Sequence, residues 1–355
     1  VKLTHSGQSL RLAAPFTHAR GSWSQVDAIV AGIEHDGRIG HGEGVPSQRR
    51  GDSCASAREF LDQAAGVLGT DPFAFAERAP RLRHIAERLG PQPAAHAALD
   101  IALHDLCGQL AGLPLWRLLG FRRHGPPTTW TISLADPDTM ARDAEHAHGF
   151  HRLKIKLGGG DGLDLDRLRA VRTVTTTPLV VDVNERWTLA EAQDILPRLA
   201  ELDVVLVEQP LPAHDPDAEL LARQAPLPIY LDEECSSAAD VARSAGRAHG
   251  VNLKLSKCGG IRELLAASVT ARAHGLDIMI GCDLESSLGI TAAAHLASIA
   301  DHVDLDGNLL LAEDPWNGVD LVDGVQIPPA DPGLGVHALA ALRITEGVGN
   351  APNGP

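Results

Sequence analysis

Residues 152–160, "RLKIKLGGG", decide how this chain is read. Leu153, Ile155 and Leu157 alternate with Lys154 and Lys156, the pattern of a β-strand. Side chains two apart on a strand point the same way, about 7 Å from each other, so the two ammonium groups share a face. If that face is an interior, two cations sit where water is scarce. Charges placed at such cost belong to a site.

Outward from this strand the pattern repeats. From about residue 128, short β-rich runs recur: "TTWTIS", "RLKIKL", "PLVVDVN", "VVLVEQP", "PIYLDEE", "VNLKLS", "DIMIGC" and "HVDLDG". Helical patterns such as "TLAEAQDILPRLAEL" and "IRELLAASVTARAHG" lie between them. Lys156, Asp182, Glu208, Asp232 and Lys254 end five successive runs at a period of about 25 residues. Strands alternating with helices at that period predict βα units and a parallel sheet. Eight such runs predict an α/β protein with a (β/α)8-type barrel, a modified TIM barrel. In barrel enzymes the C-terminal strand ends form the active-site mouth, where these ionisable side chains would converge.

The first 125 residues differ. "DAIVAGIEHDGRIGHGEGVP" reads as two strands joined at "HDGR", followed by helical stretches such as "PAAHAALDIALHDLCGQLAGLPLWRLLG". The predicted organisation is an α+β capping domain (1–125), a barrel (126–320) and a closing segment (321–355) that packs back on the cap. The tail "EGVGNAPNGP" is expected to fray.

Composition excludes several classes. The 355 residues suit a barrel with an accessory domain, and a net charge of −15 argues against nucleic acid. No apolar run approaches a membrane span, and the opening residues lack the apolar core of a signal peptide. Five scattered cysteines, never CxxC, predict free thiols and a cytoplasmic setting. Gly158 to Gly160 lack the GK[ST] of a phosphate loop, and no H-x-x-x-H pair suggests zinc.

Asp182, Glu208 and Asp232 end three consecutive runs. Packed together they would repel by several kcal/mol unless a cation joins them. All-oxygen ligation predicts Mg²⁺, with Mn²⁺ as the alternative. Lys156 and Lys254 flank this acidic arc and are candidate bases, Lys154 supplying the neighbouring positive charge that would lower the pKa of Lys156. Two lysines on opposite sides of a metal could exchange a proton across a planar intermediate. Lys257 is read as structural or surface.

These motifs resemble the enolase superfamily, muconate-lactonising subgroup. The resemblance rests on K-x-K (Lys154, Lys156), D-x-N (Asp182, Asn184), E-Q-P (Glu208 to Pro210), D-E (Asp232, Glu233) and "KLSKCGG", and it spans essentially the whole chain. Within the subgroup, "DHVDLDGNLLL" is similar to the D-x-D motif of dipeptide epimerases. There Asp304 and Asp306 would hold the substrate's α-ammonium, and Arg20 in "THARGS" would face a glutamate side chain. The resemblance implies an isomerase that epimerises an Ala-Glu-like dipeptide by two-lysine 1,1-proton transfer through an enediolate. Lys154 would contact the substrate carboxylate; Asn184 and Glu233 would support the site, the latter orienting Lys254. It also implies a homo-oligomer. A cycloisomerase or o-succinylbenzoate synthase of the same superfamily is the alternative, and it leaves Asp304 and Asp306 unexplained. Asp283 departs from the Ala-Glu pattern; as a substrate-binding carboxylate at the mouth it would disfavour an acidic side chain and could favour a cationic one, while Arg49 and Arg50 in "SQRRGD" pull the other way if they reach the site. His104 and Asn308 also depart from it and are read as structural.

Overall fold

The computed structural model describes residues 1–339. Eight parallel strands form one sheet in strict chain order. They are β4 (Trp130–Ile132), β5 (Leu153–Lys156), β6 (Leu179–Asp182), β7 (Val204–Glu208), β8 (Ile229–Leu231), β9 (Gly250–Lys254), β10 (Asp277–Gly281) and β11 (His302–Asp304), preceded by the three capping strands described below. A parallel bridge between Thr128 and Val303 closes the sheet, with the Thr129 N–H donating to the Val303 carbonyl at 3.1 Å. The expected barrel is therefore present.

Strand alternation builds two layers. Outward-facing Leu153, Ile155, Val181 and Val207 pack on surrounding helices in one apolar wall. Inward-facing Val180, Leu206, Tyr230 and Met279 fill the barrel centre. Tyr230 fits because β9 starts with glycine: a Cβ on Gly250 would lie 2.4 Å from its ring. Two residues beyond Val180, Leu206 and Tyr230, the same face carries Asp182, Glu208 and Asp232. The apolar layer is thus the platform under the charged mouth.

The capping sheet has three antiparallel strands, β1 (Lys2–His18), β2 (Gly21–His35) and β3 (Arg38–Gly44). β2 and β3 meet at Asp36–Gly37, both left-handed with φ of 49° and 71°, the two-residue turn expected at "HDGR". β1 was not among the expected strands. It is a largely polar edge strand paired with β2, and only one side of its far half is buried. Helices α1 (Cys54–Ala65), α2 (Phe75–Leu89) and α3 (Pro93–Ala111) cover the sheet. α3 lies directly on β3, because Gly40, Gly42 and Gly44 remove the side chains between them. A Cβ at those positions would stand 2.2, 2.1 and 2.0 Å from the carbonyl oxygens of Ala102, Ala98 and Ala94.

After residue 319 the hairpin Asp320–Val322 and Val325–Ile327 lies against the barrel, where the Gly324 carbonyl accepts from the Thr128 N–H at 2.8 Å. Gly333 and Leu334 then reach the cap: the Leu334 N–H donates to Asp105 of α3 at 2.7 Å. His337–Ala338 pairs antiparallel with Trp316–Asn317, and residues 340–355 of the segment expected to close on the cap, with the tail expected to fray, lie outside the described residues. No helix among the described residues is long and apolar enough to cross a membrane.

Candidate active site

The strand-end residues and the capping loops enclose one cavity of about 790 Å³. It is lined by Arg20, Lys154, Lys156, Asn184, Asp232, Glu233, Lys254, Asp283, Asp304 and Asp306 among others. Asp182 and Glu208 lie just behind, 1% and 0% exposed. A second cavity of about 980 Å³ lies between α2, α3 and the barrel loops, sharing Arg49, Arg50, Glu233 and Lys257 with the first.

Lys154 and Lys156 both face this interior and are buried. Lys154 lies 2.6 Å from Asp304, 2.9 Å from Glu208 and 3.2 Å from Asp182. Burial disfavours its charge, but these three carboxylates outweigh that and raise its pKa well above the ordinary lysine value. This corrects one expectation: Lys154 is not an uncompensated cation acting on Lys156. Lys156 donates to Asp182 at 2.6 Å, and Lys254 to Asp232 at 2.8 Å. Burial likewise opposes the Lys254 charge, while Asp232 and Asp283 raise its pKa.

The three consecutive carboxylates are held by their surroundings. The Asn184 N–H donates to Asp182 at 3.0 Å, and Asn252 on β9 donates to Glu208 at 2.9 Å. Gln209 accepts from the Asp232 and Glu233 N–H groups at 2.8 and 3.2 Å. Asn184, Glu185 and Gln209 all have positive φ (49°, 71° and 39°), backbone strain concentrated where the strands end at the mouth. Lys257, read from the sequence as structural or surface, is buried and binds Asp232 through its carboxylate and carbonyl, and the Asn252 carbonyl at 2.8 Å. Its signal was the short helix Leu255–Cys258, whose turn brings a residue three beyond Lys254 back toward the same carboxylate. Asn252, two residues before Lys254 on the same strand face, was missed as well.

Whether these carboxylates suit Mg²⁺ can be tested on their own environment. Burial pushes Glu208 up to about 7, with Asp182 and Asp232 adding to the rise against the pull of Lys154. Its Oε2 accepts no well-formed hydrogen bond, although Lys154 is near. Asp182 and Glu208 already share one cation, the Lys154 ammonium. As the side chains stand they turn toward lysines, and among the described residues no three His, Cys, Asp or Glu converge as a finished cage. The donor chemistry, all oxygen, buried and mutually repelling, fits a hard divalent cation.

Asp304 and Asp306 are buried at the last strand end. Asp304 accepts from Thr129 and from Lys154; Asp306 accepts from the Thr131 N–H at 2.7 Å. Burial and the adjacent Asp304 push Asp306 up to about 6, so a nearby cation is favoured.

The rim is made of ion pairs. Arg20 donates to Glu233 at 2.5 Å and to Glu185 at 3.3 Å. Glu233, expected to orient Lys254, therefore holds Arg20 instead; Lys254 donates to the neighbouring Asp232. Arg49 also pairs with Glu185, and Arg50 donates to Asp283 at 2.9 Å. Both arginines of "SQRRGD" thus reach the site. Asp283 is not a free carboxylate: burial opposes its charge, but Arg50 and Lys254 hold its pKa below the ordinary value. His104 and Asn308 are structural, bonded to the Asp100 carbonyl at 2.7 Å and the Ser287 hydroxyl at 3.1 Å.

A capped eight-stranded barrel with carboxylates and lysines on successive strand ends defines a class. Residues 139–341 match the family described as enolase C-terminal domain-like, and residues 1–120 match the mandelate racemase/muconate lactonizing enzyme N-terminal domain. The chain belongs to this branch of the enolase superfamily. It is 36% identical over 346 residues to the hydrophobic dipeptide epimerase of Flavobacteria bacterium (strain MS024-2A), covering 95% of this chain and 98% of the relative. It is 36% identical over 341 residues to the L-Ala-D/L-Glu epimerase of Bacteroides thetaiotaomicron, covering 95% and 88%. The crystal structure of the dipeptide epimerase from Enterococcus faecalis V583, complexed with Mg and the dipeptide L-Leu-L-Tyr, superposes with a TM-score of 0.88 at 33% identity, covering 94% of this chain and 98% of that one.

Proposed function

We propose that this protein is a Mg²⁺-dependent dipeptide epimerase working by two-lysine proton transfer. One observation carries the reading: Lys156 ends the second and Lys254 the sixth of eight strands, so the two amines face each other across the mouth with Asp182, Glu208 and Asp232 on the arc between. The division of labour is a capping domain over residues 1–125, a catalytic barrel over 126–320 and a closing segment over 321–355.

Asp182, Glu208 and Asp232 would hold Mg²⁺, with Mn²⁺ as the alternative, and the ion would supply positive charge to the substrate's terminal carboxylate as its α-proton leaves. Lys154 donates to that carboxylate. One of Lys156 and Lys254, as the neutral amine, takes the α-proton; the C–H electron pair moves into the carboxylate and the α-carbon becomes planar. The other, as ammonium, returns a proton to the opposite face, and the two exchange roles with the substrate's configuration. Asp306, with Asp304 beside it, receives the dipeptide's α-ammonium. Asn184 and Asn252 keep Asp182 and Glu208 oriented. We place the enzyme in the cytoplasm as a homo-oligomer, a reading supported by its five free cysteines and by the family resemblance.

The test uses single variants Lys156→Ala and Lys254→Ala with both epimers of one dipeptide in D₂O, followed by NMR. Epimerisation is lost in each, while each retains α-proton exchange with the one epimer that its surviving lysine serves. Full epimerisation by either variant refutes the scheme.

A further inference from the structure

The two relatives above have equal identity to this chain, yet one is named for hydrophobic dipeptides and the other for L-Ala-D/L-Glu, so overall similarity does not choose the substrate side chain. The rim charges do. Resting on the epimerase reading, we infer that the epimerised residue carries an uncharged, apolar side chain, lodged against Phe16 and the His18–Trp23 stack, with Arg20 and Asp283 withheld from substrate by their own partners.

The α-carbon must lie between Lys156 and Lys254. The Phe16 ring is centred 5.8 Å from the Lys156 amine, so a side chain leaving that carbon on this side meets it. Beyond Phe16, the His18 and Trp23 rings stack with centroids 4.5 Å apart. Burial, with Lys156 and Arg20 adding to it, lowers His18 to about 3, so the imidazole is neutral. Phe16, Val26, Leu284 and Leu310 pack on one apolar cluster and also line the cavity. This wall offers a side chain dispersion and burial, but no charge.

Charged side chains find their natural partners engaged. Arg20 is the residue that would attract a glutamate, but Glu233 and Glu185 already compensate it, and the second of these also binds Arg49. An incoming carboxylate would meet two resident ones. Asp283 would attract a lysine or arginine side chain, but Arg50 stands 2.9 Å away and Lys254 3.9 Å away. Asp27 lines the cavity too, but it is exposed and its field is screened by water.

The experiment is a panel of L-Ala-L-X dipeptides with X Leu, Met, Phe, Glu or Lys, each scored as kcat/KM for α-deuterium incorporation by the Mg²⁺-loaded enzyme. The expected result is an advantage of about tenfold or more for Leu, Met and Phe over Glu and Lys. Glu185→Gln should narrow the gap to Glu, and Arg50→Met the gap to Lys, because each frees one resident charge. Phe16→Ala should reduce Leu and Phe turnover by about tenfold relative to Ala-Ala. Glu or Lys as the preferred residue overturns the inference while leaving the epimerase reading standing. No incorporation with any dipeptide overturns both. Circular dichroism of each variant separates a changed preference from a failure to fold, and the wild-type panel decides the question without any variant.

Discussion

The site is built from two regions that differ in kind. Its floor is the ring of strand ends, Lys154, Lys156, Asp182, Glu208, Asp232 and Lys254, set on a closed sheet whose register places Lys156 beside Asp182 and Asp182 beside Glu208. Its roof comes from the capping domain: Arg20 after β1, and Arg49 and Arg50 in a short turn, reach across to carboxylates of the barrel. The floor groups are nearly dry and each has a fixed partner on a rigid strand. Of the roof groups, Arg20 and Arg49 are exposed and Arg50 is half-buried, and they sit on connections between the main elements. Chemistry that needs sub-ångström placement lies on the sheet, and discrimination among side chains lies on the part that can vary without disturbing it.

Substitutions can break or sharpen this contrast. The largest effect belongs to the floor: Lys254→Met should cut epimerisation by about 10²–10⁴-fold in stopped assays, on protein whose circular dichroism matches the wild type. Next, Asn252→Ala removes the donor holding Glu208, and Lys257→Met removes a buried partner of Asp232. Each should weaken Mg²⁺ binding or turnover about 10–100-fold, checked by isothermal titration and by activity.

The interior of the cap and its seam with the barrel should answer in stability instead. Gly42→Val forces a side chain into the carbonyl of Ala98 and should cost at least 1–3 kcal/mol in denaturant unfolding, roughly. Glu43 gives a pH signature. It is buried beneath the Ser286 hydroxyl and N–H, and burial raises its pKa from 4.5 to about 7. The folded state then holds a proton that the unfolded state releases first, so this contribution is fully present below pH 4.5 and is lost as pH rises through about 7. Glu285 nearby, raised to about 8, acts in the same sense. Unfolding midpoints measured at pH 5 and pH 8 should differ less in Glu43→Gln than in the wild type. The smallest effect belongs to the roof: Trp23→Ala, at a half-exposed ring, should change stability by less than about 1 kcal/mol. A large loss there would mean that the roof is part of the folding core.

Much of the floor could be read in advance, because strand alternation and the βα period are local properties. A lysine or carboxylate at the last inward position of a strand must face the mouth wherever the rest of the chain goes. The packing inside the cap was hidden: the alternating glycines of "GHGEG" serve the close approach of α3, a contact between segments some 50–60 residues apart. Lys257 was hidden because a short helical turn, not strand alternation, aims it inward.

The sequence by itself determined the barrel, the cap ahead of it and the identity of the charged groups at the strand ends, since periodicity and side-chain direction need no knowledge of distant neighbours. Only the tertiary structure decided which charges neutralise which. Lys154 sits among three carboxylates, Asp283 is paired with Arg50 across 233 positions and Arg20 with Glu233 across 213. Coulomb interactions act through space and depend on burial, so the partner of a charge, and therefore what it has left to offer a substrate, is fixed only when the chain has closed.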